Sequence, residues 1–359
     1  MSLLGFDGFS RYRAKSEIAD GNWVIETDSG NLSLIFAGGP NERGALQFGQ
    51  LNRSDASVYW NIGTLKQTLV MGFWFTFDGF DTGGGNTQDL IMSFNSSTTV
   101  RNSLRIRSDG SLLFLRSTNS TTIWSSSDPE DTPDGTAKYL FQGAEYKIEI
   151  RGDWFNTTGS FELRVNNEVW AYFNGNADLD GTINRIYFRT GFYLDGAQFS
   201  ISDFYLVEDD GSGVSDFLGD TFQVEVLRPT SDSATESDFT PSTGIDNYAL
   251  VDDSIRHDYD GTYITSSVAT NIDRYLTTGT LVGQRVIGAS VIAVARHEGS
   301  ADNFRLTIFE GATAGNGGTE ALTGNFIPYE YMTTVNPDTS AEWTVTELEG
   351  CEFGVEDVA

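Results

Sequence analysis

Residues 199–229 read FSISDFYLVEDDGSGVSDFLGDTFQVEVLRP. The opening, 199–207, has the character of the closing strand of a large β domain. The middle, 208–215, is acidic and Gly/Ser-rich, and is too polar to pack. From Phe217 to Leu227 a second apolar alternation begins, with Phe222, Val224 and Val226 on one face. The stretch therefore reads as a junction. It divides the chain into a domain of residues 1–211 and a second of residues 212–359, joined by a short linker.

The 359 residues allow roughly two domains of ordinary size. There are 25 Phe and 14 Tyr, residue types that favour strands and fill cores. Gly is abundant at 39 and Pro scarce at 7, a balance that suits many tight turns between short strands. Long helical periodicity is absent, so the chain reads as all-β. A net charge of −29 makes nucleic acid and anionic membrane surfaces unfavourable partners. No run approaches the ~20 apolar residues that span a bilayer. The start, MSLLGFDGFSRYR, lacks a basic segment followed by an apolar one, and the reading expects no secretory signal. Cys351 is the sole cysteine, which excludes an intrachain disulfide; its apolar setting reads as a buried thiol.

In the first half the strongest strand is 69–77. Leu69, Met71, Phe73, Phe75 and Phe77 share one face; Val70, Gly72, Trp74 and Thr76 share the other. The second face is either covered by another layer or leaves Trp74 on an open surface able to stack on a sugar ring. Asp109-Gly110 is the best hairpin turn in the chain. Tyr146, Ile148 and Ile150 alternate with Lys147, Glu149 and Arg151, and Phe161, Leu163 and Val165 with Glu162 and Arg164. Each of these strands reads as buried on one face and solvated on the other, with charge pairs across the solvated face. Asn166-Asn167 marks the next turn. Asp78 with Asp81, and Asp178 with Asp180, lie in Gly/Asn-rich loops and are the candidate calcium ligands; no other cofactor is expected.

In the second half 230–244 reads as a polar loop and 247–252 as a short strand. Residues 285–296 (RVIGASVIAVAR) read as a central strand apolar on both faces. Thr339-Ser-Ala-Glu342 reads as a capping box opening a short helix, with Gly350 at its end and a closing strand from Cys351. His257 and His297 stand far apart without further ligands nearby, so zinc is not indicated. Walker, dinucleotide and nucleophile-elbow patterns are absent.

The order ALQF, GFWFTF, SDGSL, YKIEIRGDW, NNEVW and FSISDFYL resembles the concanavalin-A-like, laminin-G-like jelly-roll family. That resemblance implies a β-sandwich over about residues 2–210. Its members bind glycans, sometimes with calcium, or hydrolyse them, or mediate protein contacts. Retaining hydrolases of this fold carry a Glu-x-Asp-x-(x)-Glu strand, which the chain lacks; Glu145-Tyr-Lys-Ile-Glu149 has the wrong spacing. In the second half SDFLGDTFQVEVLRPTSD, DNYALVDD, DGTYITSS, RVIGASVIAVAR and NPDTSAEWTVTELEGCEFGV occur in an order similar to a structural-protein family of tailed bacteriophages. This implies a virion component that is not an enzyme, assembled as a homo-oligomer with other virion proteins. Its jelly roll would face host surface glycans, with Trp74 as the candidate sugar-stacking residue. A glycoside hydrolase and a cellular glycan-binding module are the alternatives. The expected fold is all-β: a jelly-roll sandwich followed by a smaller β-rich domain with one short helix.

Overall fold

The computed structural model describes residues 2–9, 12, 18, 23–28, 32–36, 44–49, 56–66, 68–80, 88–96, 99–116, 121–153, 159–175, 183–190, 197–208, 217–219, 222, 224–253, 258–277, 281, 285–298 and 302–358. Two compact units make up the chain. The first is Met1–Ser10 with Ala14–Val224, and the second is Arg11–Arg13 with Glu225–Ala359.

The first unit is a sandwich of two antiparallel sheets. The eight-stranded sheet runs β13 (Glu168–Gly175), β12 (Gly159–Val165), β11 (Glu145–Asp153), β6 (Thr68–Phe80), β15 (Ala197–Glu208), β4 (Gly44–Phe48) and β3 (Leu32–Phe36), with β1 (Ser2–Asp7) also paired to β15. The seven-stranded sheet runs β10 (Thr121–Ser125), β9 (Leu112–Arg116), β8 (Thr99–Arg107), β7 (Gln88–Ser96), β14 (Ile183–Thr190), β5 (Ala56–Lys66) and β2 (Trp23–Asp28). The apolar face of β6 is buried from Leu69 through Phe77, as its alternation predicts.

Aromatic rings from both sheets interlock in the layer between them. Phe73 of β6 meets Phe188 of β14 edge-on at 5.1 Å, and Phe161 of β12 stacks on Phe114 of β9 at 4.0 Å. Trp23 of β2 lies 5.0 Å from Trp60 of β5 and 5.1 Å from Phe204 of β15. Tilted and edge-on rings at these separations satisfy the aromatic quadrupoles while removing large apolar surfaces from water. The Trp23 indole N–H would be stranded there, and it donates to the buried Asp7 carboxylate at 3.0 Å.

Both turns marked in the sequence form. Gly110 has φ +85 between β8 and β9, and a Cβ there would lie 2.1 Å from the Leu140 carbonyl oxygen. Asn166 and Asn167 have φ 50 and 65 between β12 and β13, the geometry of a two-residue hairpin turn.

The second unit contains the sheet β16 (Pro229–Ser237), β19 (Ile272–Thr277), β25 (Glu352–Val358), β21 (Asn303–Glu310) and β22 (Thr313–Asn316), with β23 (Glu320–Ala321) also paired to β21. The ribbons β17 (Thr240–Pro241)–β18 (Ile264–Thr265) and β20 (Ala289–Ala295)–β24 (Ile327–Thr333) and the short helix α1 (Val345–Gly350) complete it.

Several local expectations change here. The polar residues after Pro229 form an edge strand, which tolerates both the proline at its first position and a run of Ser and Thr. Residues Tyr248–Leu250 form a 3₁₀ turn, because Asp232 accepts hydrogen bonds from Asn247 N and Tyr248 N and curls the backbone. Strand β20 pairs with β24 alone among the described strands, and Ile292 is 38% exposed, so neither a central position nor full burial holds. The capping box sits five residues later than expected, at Thr344 and Glu347. Buried Asn336 accepts hydrogen bonds from Asp338 N and Thr339 N, and Val335 bridges to Glu342; together these hold 336–342 in a turn.

Asp273 lies fully buried in β19 and accepts hydrogen bonds from Asn247 Nδ2 at 2.6 Å, Tyr275 Oη at 2.8 Å and Phe239 N at 2.8 Å. Burial raises its pKa above the ordinary 3.8, against the pull of those donors. A raised folded-state pKa means that this group's contribution to stability is greatest below 3.8 and falls as pH rises through the folded value. Losing a donor hurts the charged form most. Asn247→Ala should therefore cost about 1–3 kcal/mol at neutral pH, and distinctly less near pH 3.5. Denaturant unfolding at both pH values measures the difference; equal losses would contradict it.

Candidate functional site

The outer face of the eight-stranded sheet carries the chemistry. Strand pairing lines its side chains into rows that cross the strands. One row is Ser33, Gln47, Ser200, Thr76 and Glu145. The next joins Ser202, Trp74 and Lys147. A third joins Tyr205, Gly72, Glu149 and Arg164, and a fourth Val207, Val70, Arg151, Glu162 and Tyr172.

The first row is partly open and wholly polar. Ser33 Oγ donates to Gln47 Oε1 at 3.2 Å, and Gln47 Nε2 donates to Asp78 Oδ2 at 3.5 Å. Asp78 lies on the Trp74 side of β6, two residues beyond Thr76, and is half-buried; desolvation raises its pKa and the Gln47 bond opposes the rise. At the far end of the face Tyr172 is 60% exposed beside Glu162, whose carboxylate pairs with Arg164 Nε at 2.7 Å.

The middle rows are covered. The expectation of a solvated charged face on β11 fails at Lys147 and Glu149, which are both 0% exposed. Residues 217–219, 222 and 224 lie over them instead of opening a second-domain strand. The Phe222 ring stands 4.5 Å from Lys147 Nζ and 4.6 Å from the Tyr205 ring. Lys147 Nζ is also 5.2 Å from the Tyr205 ring centre and 5.7 Å from that of Trp74, so three aromatic rings surround the ammonium. The guanidinium of Arg164 lies 4.2 Å over the Phe217 ring.

Hydrogen bonds fasten the same segment. Glu149 Oε1 accepts from Gly219 N at 2.9 Å and from Tyr205 Oη. Tyr205 Oη accepts from Leu218 N at 3.2 Å, Trp74 Nε1 donates to the Phe222 carbonyl at 3.4 Å, and Asp203 Oδ1 accepts from Val224 N at 3.3 Å. Burial, reinforced by the Glu149 carboxylate, pushes the Tyr205 phenol well above its ordinary pKa, so it stays a proton donor to Glu149. Glu149 Oε2 is buried and accepts no hydrogen bond among the described residues.

Of the sequence candidates, Trp74 and Asp78 lie on one face of β6, Trp74 half-buried under the Phe222 carbonyl. Asp81, Asp178 and Asp180 lie outside the described residues. Among the described residues no group of three or more His, Cys, Asp or Glu is placed to hold a metal ion. The sequence reading missed Gln47, Tyr172 and the Lys147–Glu149–Tyr205 cluster. A signal for the last was present in the glycine between Val70 and Trp74. A Cβ on Gly72 would lie 2.3 Å from Tyr205 Cε1 and 3.0 Å from Glu149 Cγ, so the glycine marks a crowded face.

No family model and no curated protein matches the chain. Solved structures do match. One is a sialidase, 16% identical with a TM-score of 0.42 over 58% of this chain, which spans only 19% of the sialidase chain. Another is the carbohydrate recognition domain of Emp47p, 13% identical with a TM-score of 0.37 over 58% of this chain and 97% of that one. A third is a GH131 β-glucanase catalytic domain from Podospora anserina, 12% identical with a TM-score of 0.37 over 58% and 97% of the two chains. The chain is an all-β protein whose first unit is a two-sheet antiparallel sandwich and whose smaller second unit is β-rich with a short helix.

Gly72→Ala should displace Tyr205 from Glu149 and destabilise the first unit by about 1–3 kcal/mol. A thermal melt read by tyrosine and tryptophan fluorescence tests this, and an unchanged midpoint would contradict it.

Proposed function

We propose that the chain is a non-enzymatic virion structural protein of a tailed bacteriophage, and that its first unit recognises surface glycans through the outer face of the eight-stranded sheet. The observation that carries the recognition reading is the composition of that face. Amide, hydroxyl and carboxylate groups of Gln47, Ser200, Thr76 and Asp78 adjoin Trp74, and an exposed Tyr172 stands across the sheet. Sugars offer hydroxyls to such planar polar groups and C–H faces to aromatic rings.

The non-enzymatic reading is supported by the state of Glu149. A glycosidase needs two carboxylates that reach one bond. Glu149 is sealed beneath residues 217–219 and 222 and already bonded to Tyr205 and Gly219. The virion reading, with other virion proteins and further copies of the chain as partners, is supported by the order of five sequence segments in the second half. The second unit then serves as the anchoring base.

A glycan array probed with the full chain, with and without calcium, tests recognition. Binding should fall about tenfold, a loss of ~1.4 kcal/mol, in Gln47→Ala or Tyr172→Ala, with thermal stability unchanged. Absence of binding in both calcium conditions would end the recognition reading. Mass spectrometry of purified particles should find the chain as a stoichiometric component; its absence there would end the virion reading. Release of reducing ends from a bound glycan would reinstate the hydrolase.

A further inference from the structure

We propose that β20 is a self-pairing edge: two copies of the chain join their β20 strands antiparallel, about a two-fold axis through Ile292, and turn two ribbons into one four-stranded sheet. The proposal rests on the reading that further copies of the chain are its partners, and gives that assembly an interface.

Strand β20 (ASVIAVA) pairs with β24 along one edge, from Ala289 opposite Thr333 to Ala295 opposite Ile327, without a break in register. Its other edge carries no strand among the described residues. A bare edge presents a row of backbone N–H and C=O groups and is a template for another strand. Elsewhere in the second unit the described edges are blunted. Strand β24 carries Pro328 and Glu330. Strand β16 opens on Pro229 and holds Asp232 and Glu236. Strand β22 has only four residues, and β17, β18 and β23 have two each. Strand β20 alone combines length with the absence of charge and proline.

The order of its side chains makes this edge complementary to itself. Antiparallel pairing about Ile292 sets Ile292 against Ile292 of the second copy, Val291 against Ala293, Ser290 against Val294 and Ala289 against Ala295. Side chains alternate with a period of two, so Ser290, Ile292 and Val294 of both copies fall on one face. Ile292 is 38% exposed, and two such side chains at the axis cover each other. A contact of one patch with the same patch closes on itself. Charge favours the same occupant. The chain carries −29, so two copies repel wherever acidic surfaces meet. Strand β20 brings no ionisable side chain to the contact. Arg296, just beyond its end, is paired with Asp260 and Glu298 of its own chain at 2.7 Å. Glu330 stands opposite Ile292 on β24. It would lie three strand spacings, ~14 Å, from its counterpart, beyond the ~8 Å screening length of physiological salt.

The test uses the full chain. Sedimentation should show a dimer, or an oligomer of even order, that dissociates on dilution. Ile292→Lys puts two ammonium groups at the axis and should weaken association about tenfold, with the circular dichroism of the dissociated chain unchanged. Cysteine pairs test the register independently of affinity. Cα atoms across an antiparallel pair lie ~4.5–5.5 Å apart, within disulfide reach. Under mild oxidation Ile292→Cys should give a reducible dimer linked at residue 292, identified by peptide mass spectrometry. Ser290→Cys should not link to itself, whereas a mixture of Ser290→Cys and Val294→Cys should give the mixed dimer. The native Cys351 is 1% exposed, and the wild type is the blank. An oligomer of odd order, one in which Ile292→Cys stays unlinked, or self-linkage of Ser290→Cys overturns the β20 contact and leaves further copies as partners. A chain that is monomeric at every concentration overturns the contact and that partner reading together.

Discussion

An ammonium and a carboxylate in the middle of a β-sheet face cannot be left dry without partners. Lys147 and Glu149 project from β11 away from the sandwich core, yet neither reaches solvent. Stripping charges of water costs several kcal/mol per ion unless hydrogen bonds and opposite charge replace it. Residues 217–219 and 222 supply much of that replacement for the sheet, through backbone N–H groups to Glu149 and Tyr205 and an aromatic ring to Lys147. Where the segment lies thus follows from what β11 must satisfy. The sheet's outer face is accordingly divided into an open polar row, a covered centre and an exposed tyrosine at the far end.

The sandwich beneath this face is held differently. Its stability comes from rings that interlock between the sheets, and the buried Asp7 carboxylate there is paired with the Trp23 indole. The second unit repeats the principle on a smaller scale. Asp273 is buried, but three donors converge on it, and the network ties β19 to the turn at Asn247 and to the backbone at Phe239. In both units a buried acid specifies how a segment without regular strand structure lies against a sheet.

Much of the first unit was legible in the sequence, because period-two alternation and turn chemistry are local. The buried face of β6, the Asp109-Gly110 hairpin and the Asn166-Asn167 turn follow from residue types within a few positions of each other. The candidate site was legible only at Trp74 and Asp78. Lys147 and Glu149 alternate with apolar residues in the manner of a solvated face, and nothing near them in sequence announces a cover that arrives some seventy residues later. The same limit explains the second unit. Residues 289–295 are apolar on both sides yet form a ribbon with an exposed face, since burial depends on what packs against a strand. The helix start moved to Thr344 because Asn336 captured the preceding residues in a turn.

By itself the sequence determined the all-β class, the alternating core strands and the tight turns, since each depends on the conformational preference of a residue and its immediate neighbours. Only the tertiary structure decided what residues 217–219, 222 and 224 do. As a string they continue an apolar alternation beyond an acidic stretch. In space Phe222 and two backbone N–H groups meet Lys147, Tyr205 and Glu149 from other strands, and desolvation of those groups draws the segment onto the sheet. Desolvation is a property of the assembled surface, and no single stretch of sequence contains it.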